Sequence, residues 1–479
     1  MESRHTTTSA PPGRARGAAA PPRSRGALVA GSVGNLIEWY EFGVYGWFAT
    51  IIAARFFDPG GTGGAEALVK TYASFALAFF FRPVGAALFG RIGDRAGRRP
   101  TLILVILLMT GATTLIGLLP TYATLGAAAP WLLTLLRAVQ GLSAGGEFGG
   151  AVSVMTEFAP PGRRGLYGAW QSFTVALGLL GGAGVAAVLA TVLTQAQLEG
   201  WGWRVPFLLT LPMGLGALWL RLRLEETPSF RRRQPARSAP AVATGDPTRP
   251  SPAMTGEPAR SSTPAATGRA ARSTPAAPAA PGEAARAIAL AAGRLMGWSA
   301  AGYTFLVVLP SYLQSSLNAS FRQALVATVL GNLGFAATIL PAGALSDRVG
   351  RRAVMVTGAV LAVLLAFPLL GLLRDPSAGA VAKGLAVVAA GAVVGLMAGP
   401  GPAMLAEMFP THVRYTGLGL AYALSNAVFS GCAGLIVTWT IERTGSVDVP
   451  AYYVAATCAV SALALATLPG DGHRRALRD

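Results

Sequence analysis

Residues 90–99 are Gly90-Arg-Ile-Gly-Asp94-Arg95-Ala-Gly97-Arg98-Arg99, and residues 343–352 are Gly343-Ala-Leu-Ser-Asp347-Arg348-Val-Gly350-Arg351-Arg352. The two stretches share the pattern G-x-x-x-D-R-x-G-R-R. A second pattern, E-x-x-P-x-x-x-R, begins at Glu157 and again at Glu407. Both patterns repeat at nearly the same offset, from 90 to 343 and from 157 to 407, so the sequence predicts a duplicated unit.

Long apolar blocks flank each copy of the first pattern. A helix that spans a bilayer needs roughly 20 largely apolar residues. We predict six such helices before the midpoint of the chain and six after it, at residues 28–54, 68–90, 101–120, 129–156, 167–194 and 203–223, then 287–315, 323–345, 353–374, 380–404, 416–441 and 448–469. The predicted fold is an all-α polytopic membrane protein with twelve transmembrane helices in two pseudo-symmetric six-helix bundles.

The composition supports a membrane location. Hydrophobic residues make up 52% of the 479 residues and charged residues 13%, with a mean hydropathy of +0.50. A soluble domain typically carries about 25% charged residues. The net charge of +18 would suggest nucleic acid as a partner of a soluble protein. Here the arginines stand in short clusters between apolar blocks, which indicates orientation in a bilayer instead.

The arginine clusters fall on every second loop, and positively charged loops stay in the cytoplasm, so both termini are predicted to be cytoplasmic. Residues 231–284 contain no Leu, Ile, Phe, Trp or Tyr and have too little apolar surface to offset the entropy of ordering. The predicted domains are a disordered N-terminus (1–26), a six-helix bundle (27–224), a disordered cytoplasmic linker (225–285), a second bundle (286–470) and a cytoplasmic tail (471–479).

Ionisable residues inside the predicted helices are concentrated in the first bundle. Each costs about 2.5–3.5 kcal/mol at mid-bilayer and therefore needs a partner or a function. Glu38 and Glu41 share a helix face with Tyr45, and neighbouring carboxylates raise each other's affinity for a proton. The candidate residues for substrate binding or proton coupling are Glu38, Glu41, Tyr45, Arg82, Arg137, Gln140 and Glu147.

Each of the other charged candidates leaves two interpretations open. Arg137, which shares a helix face with Gln140, either alternates between a glutamate and a substrate anion or forms a fixed buried ion pair. Arg82 either lines a cavity or extends its guanidinium to the membrane interface. Glu147 lies among glycines, where a structural pair competes with contact to substrate. The second bundle offers mostly neutral polar residues, which favours a role in shape selection.

Several motifs resemble those of the major facilitator superfamily. Besides the doubled loop, Arg137-Ala-Val-Gln140-Gly141 is similar to an element of that superfamily. Gly34-Asn35-Leu-Ile-Glu38-Trp39-Tyr40-Glu41-Phe42 and Phe81-Arg82-Pro83 resemble its metabolite–proton symporters, which include carriers of 2-oxoglutarate, citrate, shikimate and proline/betaine. The resemblance covers about 28–230 and 286–470. That family usually has Asp where Glu41 stands, which alters the binding geometry by about one methylene.

The resemblance implies a major facilitator fold and proton-coupled symport of a small organic acid, a di- or tricarboxylate or related metabolite, by alternating access. A symporter of proline- or betaine-type compatible solutes and a non-transporting receptor are the alternatives. The expected partners are the substrate, protons and the bilayer of a bacterial inner membrane. The protein is expected to be monomeric, to bind no nucleic acid and to need no cofactor, because the proton gradient supplies the energy.

The doubled loop is expected to form a cytoplasmic gate that stabilises the outward-facing state. Its arginines supply partners for carboxylates, and its glycines permit a tight turn and close helix approach. The expected gate residues are Gly90, Asp94, Arg95, Gly97, Arg98, Glu157, Arg164, Asp347, Arg348, Gly350, Arg351, Glu407 and Arg414.

Neither an enzyme nor an ATP-driven pump is expected. Cys432 and Cys458 lie in apolar blocks, while His5, His412 and His473 lie in a basic loop or at the termini. No metal site or nucleophilic constellation can be built from these residues. The sequence also lacks a Walker A motif.

Overall fold

Helices dominate the computed structural model of the chain. A backbone in lipid must satisfy its own N–H and C=O groups, which a single apolar segment achieves as a helix. The structure describes residues 23–58, 60–61, 64–96, 98–145, 152, 155–156, 159–222, 281–409 and 414–470. Those ranges contain no β-strand.

Twelve long helices follow one another in these ranges. The first half contains α1 (Arg23–Trp47), α2 (Gly64–Ala96), α3 (Arg98–Leu118), α4 (Ala128–Ala144), α5 (Arg164–Val192) and α6 (Thr210–Leu222). The second half contains α7 (Pro281–Tyr303), α8 (Phe321–Val349), α9 (Arg351–Arg374), α10 (Ala380–Ala398), α11 (Arg414–Ser425) and α12 (Val449–Ala466). The predicted arrangement of six helices and six helices is confirmed.

Shorter helical pieces extend several of these helices. Three of them are π turns, which often mark functional sites: Ala53–Phe57 after α1, Thr304–Val308 after α7 and Asn426–Gly431 after α11. The remaining pieces are Ala49–Ile52, Tyr122–Leu125, Gln195–Gly200, Gly202–Arg204, Val205–Leu208, Leu309–Leu317, Gly401–Met408 and Ala433–Thr444. The π turns of α7 and α11 pack against α1 and α2 of the other half.

Within the described ranges, nine helices are long and apolar enough to cross a membrane, judged by length and composition. The segments α1, α4 and α7 fall outside this set. Two buried glutamates interrupt α1, α4 is described for 17 residues, and α7 carries Glu283, Arg286 and Arg294. The outer surface is apolar, since Trp131 and Val381 are 75% and 78% exposed, as expected where lipid replaces water.

Two helix starts differ from the predicted domain boundaries. The helices α1 and α7 begin at Arg23 and Pro281, so residues 23–26 and 281–285 are helical. Residues 1–22, 223–280 and 471–479 lie outside the described residues, and their assignment as N-terminus, linker and tail stays a prediction.

Two helices of the first half pack backbone to backbone. Gly141 and Gly145 of α4 lie against the carbonyl oxygens of Ala78 and Arg82 of α2, and a Cβ at either glycine would clash with that backbone. We call this contact the α2–α4 seam. Small residues permit such close approach in membrane helices.

The second half repeats the arrangement between α8 and α10. Gly391 lies against the carbonyl oxygen of Gly331, and Gly334 lies against that of Val388. In both halves the approach is too close for a Cβ. The duplication predicted from the loops therefore extends to helix packing.

Candidate transport site

A cavity lies between the two halves. The space not filled by atoms there, including space open to solvent, is about 470 Å³. Its lining consists of Trp39, Ser172, Val175 and Leu179 from the first half and Trp298, Ser299, Gly302, Tyr303, Leu306, Val307, Phe335, Val394, Tyr422, Asn426 and Ser430 from the second. No charged side chain is among these described lining residues.

Four aromatic rings line the cavity in two pairs. The ring centroids of Trp39 and Tyr303 are 6.1 Å apart, with planes tilted by 55°. Those of Trp298 and Tyr422 are 6.0 Å apart, with planes tilted by 52°. Three of the four rings are buried and Trp298 is half-buried. The cavity therefore presents aromatic surface rather than charge.

A buried ion pair lies beside Trp39. Arg82 Nη2 is 3.2 Å from Glu38 Oε1, and the two side chains are only 4% and 7% exposed. The guanidinium also lies over the rings of Phe42 and Phe79, at 4.4 and 4.5 Å from their centroids. Of the two interpretations of Arg82, the structure therefore supports a place inside the bundle, and extension to the membrane interface is not observed.

Glu41 belongs to a second, fully buried chain of hydrogen bonds. Thr113 Oγ1 donates to Glu41 Oε2 at 3.0 Å, and Gln140 Nε2 donates to Thr113 Oγ1 at 2.5 Å. Arg137 Nη1 donates in turn to Gln140 Oε1 at 2.7 Å. Three helices, α1, α3 and α4, are thus joined through four side chains that are 0% exposed. Sequence analysis missed Thr113, a polar residue in an apolar helix.

Arg137 makes no ion pair with a carboxylate of the described residues, so its fixed pairing with an α1 glutamate is not observed. Its guanidinium lies over the ring of Tyr45, 4.2 Å from the centroid. Its Nε and Nη2 atoms are buried without a hydrogen-bond partner in the described part of the chain. Tyr45 is itself held by Ser74, with 2.6 Å between the two hydroxyl oxygens. Arg137 is therefore a buried cation that has two nitrogen atoms without a hydrogen-bond partner in the described part of the chain.

An aromatic layer separates these charges from the cavity. Phe79 lies under Arg82 and meets Tyr303 edge-on, with 5.3 Å between ring centroids. Tyr303 forms part of the cavity lining. Its hydroxyl is buried and has no hydrogen-bond partner among the described residues. Trp39 also contacts both regions, since it lines the cavity and lies 5.6 Å from the Arg82 guanidinium.

The halves meet at the end of the bundle that carries the Asp-Arg loops, here called the motif end. Gly165 N and Leu166 N donate to Asp347 Oδ1 and Oδ2 at 2.7 and 2.9 Å. First-turn amides lack partners inside their own helix and carry positive partial charge. A carboxylate of the second half therefore caps α5 of the first half.

Arg351 holds this carboxylate in place. Its Nη1 is 2.7 Å from Asp347 Oδ1 and 2.8 Å from Ser346 Oγ, while its Nη2 is 3.1 Å from Glu407 Oε1. Arg164 of the first half lies 3.9 Å from the same glutamate oxygen. Four predicted gate residues, Arg164, Asp347, Arg351 and Glu407, thus come together in what we call the motif-end cluster.

The other gate residues have different outcomes. Gly350 joins α8 to α9 with φ of 99°, a conformation that glycine adopts without strain. Arg348 is exposed and takes no part in the described contacts of the cluster. Gly97, Glu147 and Glu157 lie outside the described residues, as do the surroundings of Gly90 and the side chains of Asp94, Arg95, Arg98 and Arg414. The roles of these residues stay predictions.

On the other side of the cavity, α1 and the extension of α7 join the two halves. Trp47 Nε1 donates to the carbonyl oxygen of Leu306 at 3.1 Å, and Thr50 Oγ1 donates to Gln314 Oε1 at 3.2 Å. Leu306 lies in a π turn, where the regular helical hydrogen bonding is interrupted. The indole therefore satisfies a carbonyl within this irregular turn.

A third contact at that end links α2 to the α7 extension through the hydroxyls of Tyr72 and Ser311, whose oxygens are 2.6 Å apart. The halves are thus joined at this end and at the motif end in the same structure. The described contacts between the halves therefore lie on both sides of the central cavity.

The sequence assigned shape selection to neutral polar residues of the second bundle, but it did not point to Trp298 or Ser172. Helical hydropathy does not reveal which face of a fully apolar helix meets the other half. Tyr422 and Asn426 are four residues apart, and this spacing is a signal that could have indicated a shared helix face.

Comparison with known proteins decides the family. Residues 27–469 match the sugar (and other) transporter family. The chain belongs to this family of the major facilitator superfamily.

Several curated transporters are about one-third identical to this chain over most of its length. It is 33% identical to the glycine betaine/proline/ectoine/pipecolic acid transporter OusA of Dickeya dadantii, over 90% of this chain and 80% of OusA. It is 32% identical to the proline/betaine transporter of Escherichia coli K12, over 94% and 84% of the two chains. For the ectoine/proline transporter ProP of Corynebacterium glutamicum the values are 34%, 93% and 84%. The resemblance to a group with proline/betaine carriers is confirmed.

Solved structures agree on the fold. The D-xylose–proton symporter matches with a TM-score of 0.68 at 18% identity, covering 93% of this chain and 98% of the symporter. The symporter XylE bound to 6-bromo-6-deoxy-D-glucose matches with a TM-score of 0.69 at 16% identity, covering 94% and 96%. The predicted major facilitator fold is confirmed, and this family member is an integral membrane transporter rather than an enzyme.

Proposed function

We propose that this transporter carries a small zwitterionic compatible solute of the proline or betaine type together with protons, by alternating access in the inner membrane of a bacterium. Relatives named for proline, betaine and ectoine favour this alternative over the organic acid that led the sequence-based predictions. The arginine pattern favours a cytoplasmic position for the motif end and both termini.

The observation that carries the proposal is that none of the described residues lining the central cavity is charged. A di- or tricarboxylate has a net negative charge, and burying it without cationic partners is costly. A zwitterion has no net charge and needs only local partners for its two ends. The uncharged lining therefore supports a zwitterionic solute.

Thr113 offers a route for proton coupling. Its hydroxyl lies within hydrogen-bond distance of both Glu41 Oε2, at 3.0 Å, and the Met109 carbonyl, at 2.9 Å. A hydroxyl has one proton, so it donates to only one of them at a time. With Glu41 ionised it donates to the carboxylate; with Glu41 protonated it accepts from the acid and donates to Met109. Loading a proton therefore reorganises the chain that ends at Arg137.

In alternating access, the contacts between the halves at one end of the bundle break while the contacts at the other end remain. Major facilitator carriers of this class move by rocking of two repeats around a central site. In this proposal the motif-end cluster releases for exit to the cytoplasm, and the Trp47–Leu306 contact releases for entry from outside. Solute in the cavity and the proton on Glu41 together set which opening is favoured.

Counterflow in proteoliposomes tests the proposal. Vesicles containing the purified protein are loaded with unlabelled solute, and uptake of labelled glycine betaine, proline, 2-oxoglutarate and citrate is measured with and without an inward proton gradient. We expect exchange of the zwitterions, and their accumulation when the gradient is imposed. Carriage of only the acids, or accumulation that ignores the gradient, would overturn the proposal. Binding of zwitterions without exchange would favour a receptor instead.

A further inference from the structure

The two aromatic pairs and the Tyr303 hydroxyl divide the cavity into chemically different ends. We propose that this cavity binds a zwitterion with an N-alkylated ammonium against the rings of Trp298, Tyr422 and Trp39 and with its carboxylate on the hydroxyl of Tyr303. The proposal deepens the proposed function and rests on it.

The lining determines what kind of ammonium fits. An ammonium with N–H groups needs hydrogen-bond acceptors, and the described lining contains no carboxylate. An ammonium without N–H groups needs none and is attracted to aromatic faces. Trp298 and Tyr422 stand 6.0 Å apart with planes tilted by 52°, so two ring surfaces bound one corner of the cavity. A methylated ammonium therefore matches this corner better than a primary one.

The polar lining residues already satisfy one another or the helix backbone. Ser172 Oγ donates to the Ala398 carbonyl at 2.8 Å, and Asn426 Nδ2 donates to the Tyr422 carbonyl at 3.0 Å. Ser430 Oγ donates to Asn426 Oδ1 at 2.8 Å. These contacts use the hydroxyl protons of Ser172 and Ser430 and one N–H of Asn426, donors that would otherwise be available to a carboxylate.

Tyr303 differs from these residues. Its side chain lines the cavity, the residue is only 6% exposed, and its hydroxyl has no hydrogen-bond partner in the described part of the chain. Leaving a buried donor unused is costly, so the geometry points to a ligand acceptor at this position. A carboxylate oxygen of the solute is the acceptor that a zwitterion supplies.

The surrounding charges favour the same orientation. The ring of Phe75 contacts both Tyr303 and the Arg137 guanidinium. Glu38 offsets the charge of Arg82 in an ion pair, whereas Arg137 makes no ion pair with a carboxylate of the described residues. The positive charge of Arg137 attracts a carboxylate and repels an ammonium. The solute carboxylate therefore lies nearer the proton-coupling residues than its ammonium does.

A methylation series tests the ammonium end. Glycine, sarcosine, N,N-dimethylglycine and glycine betaine are compared as inhibitors of glycine betaine counterflow by the wild-type protein. We expect the apparent affinity to rise with each methyl group, by about tenfold or more from glycine to glycine betaine. 3,3-Dimethylbutyrate keeps the carboxylate and has a carbon atom in place of the ammonium nitrogen, so it should inhibit more weakly than glycine betaine because it lacks the cation. Equal inhibition by glycine and glycine betaine would overturn the proposal.

Ring variants locate the ammonium. Trp298→Leu and Tyr422→Leu should reduce the preference for glycine betaine over glycine by about tenfold, whereas Tyr422→Phe keeps the ring and should preserve it. Trp131→Leu is the matched control, since this tryptophan is 75% exposed on the outer surface. An unchanged preference in both Leu variants, with protein that binds and exchanges proline, would overturn the assignment.

Tyr303→Phe tests the carboxylate end. It removes one hydroxyl and keeps the ring, so inhibition by glycine betaine should weaken by about tenfold. Inhibition by choline, which has the same ammonium and no carboxylate, should change less than about twofold. Equal weakening for both ligands would contradict the orientation. If the wild-type protein exchanges no zwitterion at all, the proposed function itself fails; if it exchanges them without the methylation preference, only this inference fails.

Discussion

Asp347 Oδ1 accepts a hydrogen bond of 2.7 Å from the backbone amide of Gly165, so that a side chain of the second half caps a helix of the first. The contact depends on the negative charge and on both carboxylate oxygens, because Leu166 N donates to Oδ2. It is thus a contact between halves that must break whenever the motif end opens.

Asp347→Asn should favour opening of the motif end. The amide keeps the shape but loses the charge that interacts with the α5 N-terminus and with Arg351. Such charged hydrogen bonds contribute about 1.5–3 kcal/mol. We expect a cysteine at Ala403, which packs against Gly168 of α5, to be alkylated at least about tenfold faster in protein without its native cysteines. Asp375→Asn, in an exposed loop, is the control, and equal rates in the two variants would contradict this role.

Glu38→Gln should destabilise the protein. It leaves the Arg82 guanidinium buried without its carboxylate, a change that costs about 3–5 kcal/mol. Adding Arg82→Gln should recover part of the loss, because the unpaired charge is then gone. Thermal unfolding in detergent measures both effects. Glu66→Gln is the control, since Glu66 pairs with Lys70 at the surface, and such pairs contribute about 1 kcal/mol or less. A loss no larger than that of the control would refute the importance of the buried pair.

Trp47→Phe should loosen the end opposite the motif end. The variant keeps an aromatic ring but cannot donate to the Leu306 carbonyl, a hydrogen bond that contributes about 0.5–1.5 kcal/mol. Alkylation of a cysteine at Gln314 should therefore accelerate, while Ala403→Cys should not. The exposed Trp131→Phe serves as control. If neither reporter responds, the indole hydrogen bond does not hold this end closed.

Gly141→Ala should destabilise the first half. The new Cβ would clash with the Ala78 carbonyl across the α2–α4 seam, and overpacking of this kind costs typically about 1–3 kcal/mol. Gly111→Ala in α3 has open space around it and should be neutral or stabilising by up to about 1 kcal/mol. The difference in Tm in detergent measures the contrast, and a seam variant as stable as Gly111→Ala would show that α2 and α4 separate easily.

The helices could be predicted from the sequence because each spanning segment must be long and apolar. The duplication could be predicted because the loops repeat. The sequence also identified Glu38, Glu41, Arg82 and Arg137 as buried charges, since each stands out in an apolar block. The sequence could not assign their partners. Arg82 pairs with Glu38 and Arg137 with Gln140, and this choice depends on how α1, α2 and α4 rotate against one another.

The cavity was less predictable for the same reason. Trp39 and Trp298 look like ordinary packing aromatics in an apolar helix, and only the meeting of the two halves makes them cavity residues. The predicted organic acid followed from the resemblance to metabolite–proton symporters, and the charges of the first half were the candidates to bind it. In the structure those charges lie beside the cavity rather than in its lining, and the relatives favour a zwitterion.

The α2–α4 seam restricts changes in the part of the protein that carries the ionic residues, but it does not restrict changes in the cavity lining of the second half. Because Gly141 and Gly145 touch α2 backbone rather than side chains, no rotamer change can alter the spacing between Arg82 and the helix that carries Arg137. New substrates can instead be accommodated by exchanging side chains of α7 and α11 without disturbing the ionic residues. A transporter built in this way can diversify what it carries while inheriting unchanged the machinery that powers it.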